Sequence, residues 1–326
     1  MEATFNAWDI RHYGGPSVLA PVSRAMPKPG AGQILVQIRA SAVTRADGMM
    51  RAGQPKFARL FLGLKRPRAG LSGTCFSGDV IAVGDGVTRF APGDAIFGEA
   101  GLSFGANASH ICLDADGSLV AKPDAVGYEE AAVMCDGALT SWHFLTRVAG
   151  VKPGEKVLIL GGAGSLGTAA IQFAKALGAT VTATSSARNT ELLRTLGADH
   201  VIDYTTRDPL EPGADHDVVF DTLGVRSFGE AKPALAAEGR YVCPVLGLRL
   251  LRDMVLSRLF SRKRASFAAA GMEKPDVHRE ELGEILELVA TGRFAPVMDR
   301  TYPFADLVEA HRYVETGRKR GNVVVV

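Results

Sequence analysis

A chain of 326 residues, 47% apolar and 22% charged, is long enough for two domains with substantial cores, and its composition excludes disordered and fibrous classes. A formal net charge of +2 supplies no field of the kind that recruits nucleic acid. The four cysteines, Cys75, Cys112, Cys135 and Cys243, are scattered with no CxxC and no dense framework, which fits a reduced, cytoplasmic setting.

The first residues, Met1 to Gly15, carry no long apolar run behind basic ones, and no later segment holds the roughly 18 uninterrupted apolar residues of a membrane span, so no stable membrane insertion is expected. Up to about residue 120 the pattern is of short strands punctuated by turns. Gln33–Ala40 and Asp79–Val83 read as strands, while Gly84-Asp85-Gly86 and Ala91-Pro92-Gly93-Asp94 are turn signals. A β-rich module over residues 1–122 is predicted. The pattern turns helical over Tyr128 to Arg147, and Val151-Lys152-Pro153-Gly154-Glu155 makes a turn into the next strand.

Strands Val157–Leu160, Thr180–Thr184, His200–Ile202, Val218–Asp221 and Gly239–Val242 then alternate with helices such as Ala169–Leu177 and Glu191–Leu196. Alternation of this kind predicts a doubly wound parallel sheet, here over residues 123–270. Beyond about Ala270 come a helix (Arg279–Thr291), a strand near Arg300–Tyr302, a helix (Phe304–Thr316) and a terminal strand (Asn322–Val326). This tail, residues 271–326, alternates too little to stand alone and is expected to pack back onto the N-terminal module.

Within the parallel region, the apolar run Val157–Leu160 flows into Gly162-x-Gly164-x-x-Gly167 and directly into a helix. The first glycine allows a tight turn, the second lets backbone approach a pyrophosphate, and the third lets helix and strand pack closely. Phosphates then sit over the helix N-terminus, beside Ser165 and Leu166, where unpaired N–H groups and the macrodipole favour negative charge. Leu166, Ala170, Phe173, Ala174 and Leu177 recur at helical spacing and are expected to bury one face, with Gly178 as the stop.

The next strand ends in Ser185-Ser186-Ala187-Arg188, where an NAD site usually places Asp or Glu on the adenosine ribose. Without a carboxylate to repel a 2′-phosphate, and with Arg188 to make a charge-assisted contact, NADPH is favoured over NADH. The alternative reading is a tight turn followed by a solvated arginine.

The order of these parts resembles the medium-chain dehydrogenase/reductase superfamily, in its zinc-free quinone-oxidoreductase-like branch. The resemblance is carried by Ala40–Gly53, Gly73–Gly98, Gly137–Leu145, Val151–Gly167, Leu196–Tyr204 and Arg300–Val326. It implies an α/β fold made of a GroES-like β-rich catalytic domain and a Rossmann domain, a substrate cleft, and a homodimer or homotetramer. By position it further implies that Arg45 to Met49 line the nicotinamide side with Thr140 and His143 nearby. Thr222 and the Pro244–Gly247 segment, including Leu246, would follow the later Rossmann strands, Arg318 would approach the cofactor from the tail, and Ser185, Arg188 and Tyr204 would surround the 2′-phosphate.

Departures from the superfamily's zinc enzymes carry the functional reading. Those enzymes have Cys where this chain has Thr44, His where it has Thr74, and Cys near Asp136, and the four-cysteine loop after residue 95 is missing. No metal is therefore expected. Without a Lewis acid, the chemistry that suits the site is hydride donation to a small apolar acceptor that is already electrophilic, a quinone or an α,β-unsaturated carbonyl.

Asp47 reads either as a proton donor or as a structural acceptor fixing a turn, the second favoured. His143 reads as a satisfied core histidine or as a functional group, and Thr44, Thr74 and Thr140 as hydroxyl donors or packing hydroxyls. Met49, Met50, Phe57, Phe61, Leu64 and Leu246 suggest a roomy apolar pocket with Arg51 and Lys65 at its rim. Arg249 to Arg264 reads as a basic amphipathic helix serving as a lid or a subunit contact, with a membrane surface as the alternative. Competing functions are an NADP-linked alcohol dehydrogenase, using Thr hydroxyls or a metal recruited through Cys75 and Asp136, and a non-catalytic NADPH-binding interaction protein.

Overall fold

The computed structural model describes residues 3–56, 59–68 and 70–326 and, of Phe61, the backbone alone. In chain order the strands before residue 122 are β1 (Thr4–Ile10), β2 (Leu19–Ala25), β3 (Gln33–Ala42), β4 (Cys75–Val83), β5 (Ala95–Glu99), β6 (His110–Asp114) and β7 (Ser118–Ala121). Next come β8 (Lys156–Leu160), β9 (Thr180–Ser185), β10 (His200–Asp203), β11 (His216–Asp221), β12 (Leu235–Val242) and β13 (Arg264–Ser266). The last are β14 (Met298–Tyr302) and β15 (Asn322–Val325). The α-helices are α1 (Arg45–Ala52), α2 (Arg59–Leu62), α3 (Tyr128–Val133), α4 (Leu139–His143), α5 (Ser165–Ala176), α6 (Thr190–Thr195), α7 (Phe228–Ala231), α8 (Leu248–Phe260), α9 (Pro275–Ala290) and α10 (Leu307–Glu315).

The chain divides into two units. One comprises residues up to Asp136, Lys274–Gly283 and Met298–Val326, the other Gly137–Glu273 and Glu284–Val297. The first unit is built on β3, whose apolar positions Ile34 and Val36 are fully buried against Phe76, Ile96 and Leu119. The sheet runs β14-β15-β3-β4-β5-β7, with β6 also paired to β3, and β1 and β2 form a separate hairpin. β3 extends to Ala42 because Ser41 and Ala42 pair with Val325 and Val324. That partner is too distant in sequence for local pattern to reveal.

In the second unit every pairing is parallel, in the order β10-β9-β8-β11-β12-β13. Val157, Leu158, Ile159, Val218, Val219 and Phe220 are fully buried, as central strands covered on both faces must be. The order reverses between β8 and β11, and in open parallel sheets ligands bind outside the carboxyl ends of strands at such a reversal. Phe144 stacks on Phe220 with centroids 5.3 Å apart, and Trp142 meets Phe173 edge-on at 5.1 Å.

Several expectations hold with changes of detail. The stretch expected to be helical after Tyr128 is helical, with α3 and α4 alternating with π-helical turns at Met134–Ala138 and Phe144–Val148. α5 fully buries Ala170, Phe173 and Ala174 as expected and Ile171 besides, while Leu166 and Leu177 are only half-buried. The basic segment is helical only over Leu248–Phe260, after which Arg264–Ser266 joins the sheet edge as β13. Among the described residues no helix is long and apolar enough to cross a membrane.

Candidate functional site

β8 ends at Leu160, and Gly161, with φ of +80°, turns the chain. Its N–H donates to Thr184 Oγ1 at 3.1 Å and the N–H of Gly162 to Thr184 O at 2.8 Å, which fastens the loop to the end of β9. A Cβ on Gly167 would sit 2.2 Å from Gly161 O, and one on Gly162 would sit 2.8 Å from Leu193 Cδ2, so close packing demands both glycines. At Gly164 a Cβ would meet nothing nearer than Gly161 O at 3.7 Å. The polypeptide's own packing does not require that glycine. Its bareness leaves the backbone of the turn open.

Gly164 is also the N-cap of α5 and offers no side-chain cap, and Thr168 N–H, donating to Gly164 O at 2.9 Å, closes the first turn. The N-cap residue thus brings no side chain of its own to the positive end of the helix. α4 is docked against this turn: Ser141 Oγ donates to Leu166 O at 2.8 Å, and a Cβ on Gly137 would lie 2.8 Å from the Ser165 carbonyl. Across the reversal, Thr222 donates through N–H and Oγ1 to Leu160 O at 3.3 and 2.7 Å. Thr222 therefore ties the ends of β8 and β11 together.

Ser185 closes β9, buried at 3%, with its Oγ donating to Ser186 O at 3.0 Å. Tyr204 N–H donates to Ser185 O at 3.2 Å, which brings the residue after β10 beside the end of β9. Tyr204 is 58% exposed, and Arg188 stands exposed on the single 3-10 turn Ala187–Asn189. Asn189 Oδ1, on the same turn, is buried without a hydrogen-bond partner. A bare loop, an uncapped helix and exposed polar residues at the end of β9 fit a dinucleotide.

In the first unit, Thr44 caps α1. Its Oγ1 donates to Asp47 Oδ2 at 2.8 Å and accepts from Asp47 N–H at 2.9 Å, while its own N–H donates to Asp47 Oδ2 at 3.0 Å. Thr74 Oγ1 donates to Asp47 Oδ1 at 3.3 Å. Burial pushes Asp47 up to about 6 although the Thr44 contacts pull the other way. Glu99, at the end of β5, is pushed up to about 8 by burial and by the charges of Asp136 and Asp47. No local signal marked Glu99, because the groups around it, among them Asp47, Asp136 and His278, come from distant segments. Gly161, likewise not singled out, was legible as the first of two adjacent glycines after a strand.

Of the other residues expected at the site, Thr140 is half-buried and His143 buried on α4, with His143 Nε2 3.9 Å from Glu273 Oε1. Leu246 is half-buried and lines a cavity of about 230 Å³ with Gly224, Val245 and Arg249. Arg45 is exposed on the first turn of α1 and Arg318 is exposed after α10. Arg51 is not at a pocket rim: it is 1% exposed, donating to Gly14 O and Glu315. Phe57 lies outside the described residues, as does the side chain of Phe61.

Three family models match the chain: Alcohol dehydrogenase GroES-like domain over residues 30–150, Alanine dehydrogenase/PNT, C-terminal domain over 130–236, and Zinc-binding dehydrogenase over 196–325. The 2-methylene-furan-3-one reductase of Solanum lycopersicum is 31% identical over 338 residues, covering 100% of this chain and 80% of the relative. The chain belongs to the medium-chain dehydrogenase/reductase superfamily. Quinone-oxidoreductase QR1, chloroplastic, of Triphysaria versicolor is 27% identical over 96% of this chain and 95% of its own. The structure of the Escherichia coli quinone oxidoreductase complexed with NADPH superposes with a TM-score of 0.86 at 25% identity, covering 98% of this chain and 99% of that one.

As a medium-chain dehydrogenase/reductase, the chain is an NAD(P)-dependent oxidoreductase with a GroES-like first unit and a Rossmann second unit. The zinc named in one family description does not fit its residues. Thr44 and Thr74 replace soft ligands and are engaged by Asp47, and burial holds the thiols of Cys75 and Cys135 far up in their protonated forms. Among the described residues no three His, Cys, Asp or Glu side chains converge as a metal group.

Proposed function

We propose that this medium-chain dehydrogenase/reductase is an NADPH-dependent, zinc-independent reductase of quinones or α,β-unsaturated carbonyls. The observation that carries the NADPH preference is the end of β9: no carboxylate stands at residues 185–188, and Arg188 is exposed on the turn that follows Ser185, whose carbonyl accepts from Tyr204 N–H. A guanidinium there pairs with a 2′-phosphate in two hydrogen bonds, whereas a ribose hydroxyl gains little from it. The backbone bared at Gly164 and the N-terminus of α5 would hold the pyrophosphate.

When bound, the nicotinamide supplies a hydride equivalent. Thr140 and His143 are proposed to orient the acceptor through its oxygen, so that charge developing there meets a donor. Thr44 and Asp47, engaged with each other, are proposed to hold α1 instead of transferring a proton. One proton from water completes the balance: acceptor, NADPH and H⁺ give reduced acceptor and NADP⁺. Support for the acceptor class comes from the donor set, which suits an acceptor whose reduced oxygen is intrinsically stable, and from the reductases among the relatives.

The test follows the absorbance of reduced nicotinamide with metal-stripped protein against a panel of quinones and conjugated enones, with NADH in parallel. Chelator-insensitive turnover that prefers NADPH is expected. Turnover restored only by zinc, or equal use of NADH, overturns the reading, and tight NADPH binding with no turnover assigns the chain to a non-catalytic role.

A further inference from the structure

α8 packs Leu250 and Met254 against the apolar core of the parallel sheet yet leaves a second apolar face uncovered. Its buried residues are Leu250, Asp253 and Ser257. Toward solvent it turns Leu248 at 83% exposure, Val255 at 58%, Leu259 at 66% and Phe260 at 79%. With 3.6 residues per turn, Leu248, Val255 and Leu259 fall along one stripe, flanked by Arg249 and Arg252 on one side and by Arg258 on the other. Exposed apolar patches of this kind mark interaction surfaces.

Charge decides which partner fits. Residues 248–264 hold six cations against one acid, Asp253. That acid is buried and already accepts from Arg252 at 2.7 Å. Arg249 stands 3.9 Å from Glu230, while Arg258 and Arg262 are exposed. In a symmetric dimer built on this helix the flanking arginines would meet arginines, with no exposed acid on the helix to answer them. An apolar stripe edged by arginines instead matches the boundary between acyl chains and anionic headgroups, where arginine stems lie along the apolar layer and their guanidinium groups reach phosphate.

We infer that α8 docks this protein on an anionic lipid bilayer, lying in the plane of the surface with Leu248, Val255 and Leu259 at the acyl boundary. A helix of 13 residues lies on the membrane and does not cross it.

Flotation of the full chain with vesicles tests this. Protein is expected to float with phosphatidylcholine vesicles in which a third of the lipid is phosphatidylglycerol, to stay behind with pure phosphatidylcholine, and to be released by salt. Arg258→Gln and Arg262→Gln are each expected to weaken partitioning about five-fold. The double variant Val255→Glu/Leu259→Glu is expected to abolish it while leaving NADPH turnover in solution unchanged. Absence from the anionic vesicles, or equal flotation with neutral ones, overturns the inference. So does a dimer in light scattering that the double variant dissociates without any vesicle binding, which gives the face to a second copy.

Discussion

Arg51 presents a guanidinium nitrogen 2.7 Å from His311 Nδ1, joining α1 to α10 inside the first unit. A guanidinium only donates, so Nδ1 accepts and the imidazole proton sits on Nε2, which is buried without a partner. Protonating Nδ1 would set two cations face to face. Burial, and then the charge of Arg51, hold His311 down at about 3.

That depression has a definite sign. The unfolded chain takes up this proton near 6.5 and the folded one only near 3, so stability is lost progressively as pH falls through that window. His311→Gln is expected to lose less stability between neutrality and about pH 4 than the parent chain does. Urea midpoints across that range measure it, and parallel profiles would refute the assignment.

Glu99 produces the opposite dependence. Its carboxyl ionises near 4.5 when unfolded and near 8 when folded, so stability declines as pH rises between those values. Glu99→Gln removes the burden that Asp136 and Asp47 help impose, and its advantage over the parent should be larger at about pH 9 than at about pH 5. Denaturant midpoints at the two ends provide the comparison.

The glycines of the phosphate loop separate folding from binding. Gly167→Ala forces a Cβ to 2.2 Å from a backbone oxygen, so it should lower the melting temperature of the unliganded protein. Gly164→Ala has room and should melt normally, yet bind dinucleotide roughly ten-fold or more weakly. Calorimetry of both variants with and without NADPH reads the two effects apart.

Arg188→Ala should raise the KM for NADPH by about 10- to 100-fold, the worth of a charge-assisted hydrogen bond, and leave that for NADH little changed. Paired steady-state titrations decide it. A similar rise for both cofactors would place Arg188 away from the 2′-phosphate.

The phosphate loop was legible because its determinants are local: an apolar run, glycines at set spacing and a helical period fall within about twenty residues. The alternation that builds the parallel sheet was legible for the same reason. Arg51 was misread as a rim residue because a buried arginine is defined by its partners, and His311 and Glu315 lie at the far end of the chain. β13 hid inside a basic run, since three residues cannot show a strand period. The π-helical turns around α4 and the burial of Asp253 and Ser257 on α8 were equally invisible, because both are settled by what the helix packs against.

β15 sits inside its sheet, with β14 on one side and β3 on the other, and Val323, Val324 and Val325 are exposed by 2% or less. During synthesis β3 emerges long before its partner at Val324 and Val325. The strands of the parallel sheet all lie between residues 156 and 266 and are complete well before then. A nascent chain therefore carries a finished parallel sheet while Ser41 and Ala42 at the end of β3 still lack their partner, a state open to mispairing with another chain. Loss of Val323–Val325 would make that state permanent.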